Sequence, residues 1–229
     1  MHFFVFLHLF LNPLIRLEGE PMNFSQIENK TQIELPQGGS IFTEDFLINI
    51  GYLLSQYDSK GEISGEGSGG VFFSNASSSL SGESLFFDNH TLSILGNIKG
   101  LFEDIVEFES DSALLSIEKN NFVFEKIKRS PKFFYKNFSL SANLINFDIL
   151  ESSFSGKEDI VFEFYSDSGS FNGKADFFNG SIKDDLIYFS NIFLSNDKGY
   201  DIKSEHVEIN TETMEFKLHG KFELTIKDD

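Results

Sequence analysis

The chain has 229 residues, with 36 acidic and 18 basic side chains and a formal net charge of −18. A surface that follows nucleic-acid phosphates needs clustered Lys and Arg, so this balance speaks against a nucleic-acid partner. The densest basic cluster is Lys126, Lys128, Arg129, Lys132 and Lys136, which is too small to reverse the overall sign. No cysteine is present, which excludes disulfides, a lipid-modified cysteine and thiolate metal sites.

An apolar run at residues 3–15 is the first feature along the chain, and it is interrupted by His8, Asn12 and Pro13. A membrane-spanning helix needs about 20 mostly apolar residues, and this run is shorter. Its length is typical of a signal-peptide core, although no Lys or Arg precedes it and no small-x-small cleavage site follows it. We expect residues 1–20 to be a cleaved signal peptide or an uncleaved membrane anchor, with neither as the third alternative. Either of the first two sends the following residues across a membrane.

Residues 21–70 are predicted to be an N-terminal extension with a short helix or strand and a loop. In the segment 43–56, Thr43 is a candidate helix cap. The apolar face of that helix consists of Phe46, Ile50, Leu53 and Leu54. Gly51 weakens the helix, and a buried strand over Phe46–Leu54 is an equally favoured alternative. Residues 59–70 are rich in Gly and Ser and predict turns or a flexible loop.

Phenylalanine dominates the aromatic content, with 29 Phe against 6 Tyr and no Trp. Phe adds apolar area without a polar group, so the chain has either a very apolar core or an apolar cavity. Only four prolines occur, and the stretches 37–130 and 132–229 contain none. Because proline removes a donor from a strand ladder, this distribution favours an all-β fold.

A hairpin unit recurs from residue 71 onward, in which an aromatic or aliphatic residue is followed nine or eleven positions later by a glycine. Its copies are 71–82, 85–96, 145–156, 162–173 and 207–220. Each copy has an alternating strand, a polar turn and a second alternating strand. The spacing changes by two and not by one, which keeps one face apolar. We predict an antiparallel β domain over 71–229, with the run 214–226 as its edge strand or hairpin.

The two clearest copies resemble the repeating phrase of the OstA-like family, the LptA- and LptC-type proteins of lipopolysaccharide export. Residues 84–98, SLFFDNHTLSILGNI, match it at Phe87-Asp88, Thr91-Leu92, Ile94 and Gly96-Asn97-Ile98. Residues 204–220, SEHVEINTETMEFKLHG, match it at Ser204, Val207, Ile209, Thr213, Met214, Phe216 and Gly220. The resemblance covers about residues 70–225.

This resemblance implies a twisted, open antiparallel β-jellyroll with an apolar groove that holds lipid acyl chains. The function it implies is that of a periplasmic bridge component that binds lipopolysaccharide or another acylated lipid, without catalysis or a cofactor. The partners it implies are other Lpt-type bridge proteins, through pairing of strand edges, and an inner-membrane ABC transporter complex. The chain is then soluble in the periplasm after signal cleavage, or anchored to the inner membrane by residues 3–15.

The inward positions of the repeats are the candidate functional residues. The candidates for the lipid groove are Phe87, Ile94, Phe147, Phe162, Phe164, Phe216 and Phe222. The candidates for contact with a partner along the edge strand are Met214, Phe216, Leu218, Phe222 and Leu224. The alternative is that these side chains fill a dry core, which makes the chain a structural or adhesive exported β-sandwich without a lipid ligand.

Neither a metal site nor an active site is predicted. His206 and His219 flank the last hairpin and are expected to lie across from each other, but zinc requires at least a third ligand such as Glu205 or Glu208. Solvent-facing histidines on strands are far commoner than ligands. Carboxylates are abundant, yet no pair stands out at the separation that glycoside hydrolysis needs, so a hydrolase is the weakest alternative.

Overall fold

The protein is described by a computed structural model that covers residues 16–117, 119, 121–166 and 169–226. Within these residues the regular structure is β-strand, and every register is antiparallel. The all-β antiparallel class predicted from the sequence is confirmed. No helix in the described ranges has the length and apolar character needed to cross a membrane. Of the predicted signal or anchor segment, 1–20, the apolar run 3–15 lies outside the described residues. The end of that segment is part of the sheet instead, because Arg16–Glu18 form a strand that pairs with residues 40–42.

The chain forms two compact units. Of the described residues, those from 16 to 104 and from 112 to 119 form the amino-terminal unit, and those from 105 to 111 and from 121 to 226 form the carboxy-terminal unit. One strand, β10 (Val106–Ser116), contributes its first part to the carboxy-terminal unit and its second part to the amino-terminal unit.

Long strands in the amino-terminal unit each pair with two short strands in succession. The strands are β1 (Arg16–Glu18), β2 (Asn23–Ile27), β3 (Lys30–Leu35), β4 (Gly39–Phe42), β5 (Leu47–Asp58), β6 (Ile63–Ser74), β7 (Ser78–Gly82), β8 (Ser84–Asp88) and β9 (Thr91–Phe102). β5 pairs with β4 and then β3, and both β6 and β9 pair with β7 and β8. The register of β5 with β6 shifts between Ile50 and Tyr52, which bends both strands.

Two predictions for residues 21–70 are settled by this unit. The segment 43–56 is a strand and not a helix, since β5 buries alternate residues such as Ile48 and Ile50. Thr43 caps a turn instead, because its hydroxyl accepts hydrogen bonds from the backbone N–H groups of Asp45 and Phe46. The predicted loop at 59–70 is wrong from Ile63 onward, where β6 begins. This strand contains glycine where its packing leaves no room for a side chain. A Cβ at Gly67, for example, would lie 1.9 Å from the Ile50 side chain.

Consecutive hairpins of long strands form most of the carboxy-terminal unit. Besides the first part of β10, its strands are β11 (Asn121–Glu125), β12 (Lys132–Tyr135), β13 (Phe138–Ser141), β14 (Leu144–Asp148), β15 (Ser153–Ser166), β16 (Gly169–Ser181), β17 (Leu186–Asn196), β18 (Tyr200–Asn210) and β19 (Phe216–Ile226). β15 to β19 pair in chain order. β14 and β13 pair with the first and second halves of β15, respectively.

Irregular positions line up across these long strands and bend them. Glu158 and Asp159 have positive φ values of 68° and 52°, and Asn191 and Gly220 have φ values of 51° and 79°. The register shifts next to Glu158–Asp159 and next to Gly220, which marks bulges, and bulges bend a strand and strengthen its twist. The bend divides the unit into two layers. The first layer holds β11, β14, 153–157, 177–181, 186–190, 206–210 and 216–219. The second layer holds 106–109, β12, β13, 160–166, 169–174, 192–196, 200–204 and 222–226.

Phenylalanine rings from the two layers pack against each other between them. Phe162 of the second layer stacks on Phe189 of the first, with ring centroids 4.2 Å apart. Phe108 and Phe124 also contact each other, with ring centroids 4.7 Å apart and planes tilted by 57°. Full burial of one such side chain stabilises the fold by roughly 1.5–3 kcal/mol. The high Phe content therefore accounts for a packed core in this unit.

Glycines of the repeat have two different structural roles. Gly173 lies directly opposite Phe162 in the ladder, and Gly156 lies opposite Phe178, so a ring covers each glycine. Gly96 and Gly220 instead have positive φ values of 82° and 79° and occupy bulges. The recurring spacing in the sequence thus reflects hairpin geometry, but the glycine that closes each copy does not have the same structural role in all copies.

Substitution of Gly173 by Ala tests the role of the covered glycines. A Cβ at this position would lie 2.1 Å from Cζ of Phe162, so the ring must leave its stacked position. We expect Gly173→Ala to lower the free energy of unfolding by about 1–3 kcal/mol, measured by urea denaturation. The matched control is Asn172→Ala at the neighbouring exposed position. Equal stability of the two variants would contradict this packing.

Candidate functional site

The last strand, β19, leaves one edge of the carboxy-terminal unit open. It pairs with β18 along its length, from Ile209 opposite Phe216 to Tyr200 opposite Ile226. Within the described part of the chain, no other strand has a register with β19. An unpaired strand edge presents N–H and C=O groups that accept the strand of another chain.

An apolar row on β19 faces the same side as the core but is exposed. Phe222 lies opposite Ser204 and Leu224 lies opposite Ile202, and residues directly opposite each other share a face of the sheet. Ile202 and Ser204 are buried, at 7% and 6% exposure. Phe222 and Leu224 are 61% and 52% exposed, and Ile226 is 61% exposed. The row is uncovered because β19 is the last strand of its layer.

The other half of β19 connects this row to the core. Phe216 and Leu218 are half-buried, and the Phe216 ring lies 5.4 Å from the Phe171 ring and 6.2 Å from the Phe164 ring. Phe164 is fully buried. Phe216 therefore packs directly on the buried rings between the layers.

A shallow depression of about 600 Å³ lies at the same edge. Its lining residues are Asn191, Ile192, Phe193, Lys203, Ser204, Glu205, Lys221, Phe222 and Glu223. Of the exposed row, Phe222 lines this depression, beside Phe193, Lys203 and Glu223 of the outer face. Together with the free strand edge, it is the candidate site for an extended apolar or strand-like partner.

The hairpin that carries β19 is fixed at its turn by Asp185. The carboxylate of Asp185 accepts hydrogen bonds from the Tyr135 hydroxyl and from Thr211 Oγ1, the latter at 3.3 Å. Its backbone carbonyl accepts a 2.8 Å hydrogen bond from the Thr211 N–H. Lys136 Nζ lies 2.9 Å from the same carboxylate oxygen. These contacts connect three turns of the unit and so position the start of β19.

Charge and hydrogen bonding at this cluster favour the ionised carboxylate. The hydrogen bond from Tyr135, followed by that from Lys136, holds the pKa of Asp185 below its usual value. Desolvation, followed by the hydrogen bond to Asp185, raises the pKa of Tyr135. The cluster is therefore a structural clamp whose strength depends on an ionised Asp185.

The predicted groove residues have different surroundings. Phe87 and Ile94 are buried in the amino-terminal unit, and Phe147, Phe162 and Phe164 are buried in the carboxy-terminal unit. Phe216 is half-buried, and Phe222 is exposed at the open edge. The five buried side chains pack against protein atoms, so contact of any of them with lipid stays a prediction.

Among the edge candidates, Phe216, Leu218, Phe222 and Leu224 all lie on β19. Met214 differs, because it lies in the turn before β19, with φ of 57° and only 7% exposure. A turn residue buried in this way has no surface to offer a partner strand. Ile226 joins the exposed row, and the alternation of Phe222 and Leu224 continues to it.

The two histidines lie where the hairpin pattern predicted. His206 and His219 are directly opposite each other in the β18–β19 register. His219 Nε2 lies 3.8 Å from Glu208 Oε2. Among the described residues, no group of three or more His, Cys, Asp and Glu side chains is arranged to hold a metal ion.

Comparison with known proteins does not place the chain in a family. No protein-family model matches it, and no curated protein matches its sequence. Among solved structures, it has a partial likeness to LptH, the LptA-homologous periplasmic component of the lipopolysaccharide transport device of Pseudomonas aeruginosa. The match covers 54% of this chain and 95% of LptH, at 10% identity and a TM-score of 0.45. A likeness of this size carries no argument about function.

Removal of the Asp185 charge tests the clamp on the β19 hairpin. Since the folded-state pKa lies below the usual value of 3.8, the clamp stabilises the fold above that value and is lost as pH falls through the folded-state pKa. We expect Asp185→Asn to lower the free energy of unfolding at neutral pH by about 1 kcal/mol. Urea denaturation from neutral to acid pH should show the difference from the unaltered chain shrinking at acid pH. Asp184→Asn, at the adjacent exposed carboxylate, is the control, and a pH-independent difference would contradict the account.

Proposed function

We propose that the chain is a periplasmic lipid-binding bridge component of an export machinery for lipopolysaccharide or a related lipid. It shields acyl chains and performs no chemistry. The observation that carries this proposal is the apolar row of Phe222, Leu224 and Ile226 on the core face of an open edge strand. The resemblance of residues 84–98 and 204–220 to the OstA-like repeat supports it independently.

Contact with an acyl chain is more favourable for this apolar row than contact with water. Exposed apolar surface costs roughly 25 cal/mol per Å² relative to burial, and large side chains on an open edge also invite aggregation. Phe216, on the same strand, contacts the core rings of Phe164 and Phe171. A lipid chain laid on β19 therefore contacts Phe222 and Phe216 before it reaches the buried rings.

A bridge component also needs a second edge, and the amino-terminal unit provides one in β2. All five residues of β2 are exposed, and its register runs along β3. Phe24 lies opposite Ile33, which is 2% exposed, so Phe24 shares the face of a core residue while being 51% exposed itself. β2 and β19 thus both combine an apolar side chain on the core face with an edge position. Pairing of these edges with other bridge proteins is part of the proposal, as is delivery of lipid by an inner-membrane ABC transporter complex.

One observation favours the alternative of a structural or adhesive exported protein. The core rings of the carboxy-terminal unit are stacked and buried; Phe162 and Phe164, for example, have no exposed surface. A filled core of this type needs no ligand. The two functions differ at β19, because only the lipid-binding one requires acyl chains to occupy the apolar row.

Photocrosslinking distinguishes these functions. We expect a photoreactive phenylalanine analogue at Phe222 or Phe216 to crosslink lipopolysaccharide, because both side chains border the open edge. The control position is Tyr188, which is 44% exposed on the outer face opposite Glu208. The proposal fails if folded protein gives no lipid adduct at 216 and 222, or if the yield at 188 equals theirs.

A charge placed in the apolar row tests pairing of the edge. Charged side chains on the inner face of an edge strand oppose pairing with another strand. We expect Leu224→Lys to weaken association with a second copy of the chain about tenfold or more, measured by sedimentation velocity. The fold should be preserved, because Leu224 is 52% exposed. Glu223→Lys on the opposite face of the strand is the control, and equal effects of the two substitutions would refute the edge contact.

A further inference from the structure

Positive charge in this acidic chain is concentrated in one segment of the carboxy-terminal unit. Residues 126–147 contain five basic side chains and no carboxylate. The remaining 13 basic and all 36 acidic side chains give the rest of the chain a net charge of −23. A segment that is cationic in such a background is a candidate surface for an anionic partner.

The turn between β11 and β12 begins this segment and is held in one conformation. Asp111 accepts hydrogen bonds from the backbone N–H of Lys128 at 3.1 Å and of Arg129 at 2.7 Å. The Arg129 guanidinium also donates to Asp111, with Nη2 2.7 Å from Oδ1. On the other side, the Lys126 N–H donates to the Asn143 carbonyl at 2.8 Å. The backbone of the turn is therefore fixed before any partner binds.

This fixed turn presents an aliphatic side chain between two cations. Ile127 is 58% exposed, and Lys126 and Lys128 on either side of it are also exposed. Within the described ranges, neither ammonium group has a carboxylate oxygen within 4.0 Å. Arg129 and Lys136 differ, because they are paired with Asp111 and Asp185. The turn thus combines exposed apolar surface with two cations that are available to a partner.

Carboxylates of the neighbouring strand β10 flank the cationic segment on one side. Glu107 and Glu109 of β10 lie opposite Phe134 and Lys132 of β12. On the other flank, β13 places the neutral Ser139 and Ser141 opposite the same two residues. Glu125 precedes the turn directly. Among the described residues, Lys126 and Lys128, on either side of Ile127, are therefore the two cations of the turn that have no ion pair.

We propose that this turn binds the surface of a bilayer that contains anionic phospholipids. Ile127 enters the interface between headgroups and acyl chains, while Lys126 and Lys128 contact lipid phosphates. A free phosphate ion does not bury the exposed apolar side chain of Ile127, whereas a lipid surface does. The apolar side chain therefore favours a lipid surface. This goes beyond the shielding of acyl chains in the protein, because it concerns adsorption through an exposed turn and leaves the core closed.

A single fluorescent label tests insertion directly. The chain has no cysteine, so Ile127→Cys provides a unique site for an environment-sensitive dye on the full-length chain. We expect the emission to shift to the blue on vesicles of phosphatidylglycerol and phosphatidylcholine, but not on phosphatidylcholine alone. High salt should reverse the shift, because it screens the lysines. A dye at Asn172→Cys, on the outer face of β16, should not respond. Absence of a shift at 127, or an equal shift on both vesicle types, would overturn the proposal.

Charge reversal tests the role of the two lysines. Each cation near an anionic surface strengthens binding about fivefold, so Lys126→Glu with Lys128→Glu should weaken partition to the anionic vesicles by roughly 30-fold or more. The control, Lys60→Glu with Lys198→Glu, makes the same charge change in two other exposed turns. Residues 3–15 are present in all variants and contribute equally. If both pairs of substitutions weaken vesicle binding equally, the effect comes from net charge and the site is refuted. Binding of the labelled turn to an acidic protein but to no vesicle would refute it as well.

Discussion

The carboxy-terminal unit depends on one constraint, which is that a bent sheet keeps the same face apolar on both sides of its bend. The rings of Phe162 and Phe189 meet across the bend at 4.2 Å only because both lie on that face. A change of one residue in the register of either strand would turn its aromatic side chains to water. The bulge at Gly220 and the positive φ of Asn191 let the strands turn without breaking this pattern.

The open edge follows from the same constraint. A sheet that keeps one face apolar to its last strand leaves that strand with apolar side chains and no neighbour to cover them. In β19 these are Phe222, Leu224 and Ile226. Asp185 adds to this arrangement by fixing the hairpin turn through Thr211, so the exposed row has a defined position relative to the core. The charged turn around Ile127 is a separate exposed feature, with its own clamp at Asp111.

Alternation was the most informative property of the sequence. It predicted the β19 strand, the opposition of His206 and His219, and the inward placement of Phe147, Phe162 and Phe164. The prediction was wrong where the composition of a segment indicated a structure other than the one that the segment forms. The Gly- and Ser-rich stretch 59–70 reads as a loop, yet from Ile63 it is strand, because glycine there makes room for Ile50.

Other features have no local signal in the sequence. Tyr135 and Asp185 are 50 positions apart, and only the topology of the unit brings them together. Met214 keeps the alternation of the last strand, but a positive φ places it in the turn, where it is buried. Whether an aromatic side chain is enclosed, as Phe164 is, or exposed, as Phe222 is, depends on which strand comes last in its layer.

A crystal structure of the chain with bound lipopolysaccharide tests the central claim most directly. The account predicts acyl-chain density along Phe222 and Leu224 that continues past Phe216 towards Phe171, with the adjacent rings displaced to admit it. Density confined to the outer face, with the rings of Phe164, Phe171 and Phe216 in their present packing, would contradict it. In that case the carboxy-terminal unit is a filled β-sandwich, and its open edge serves pairing alone.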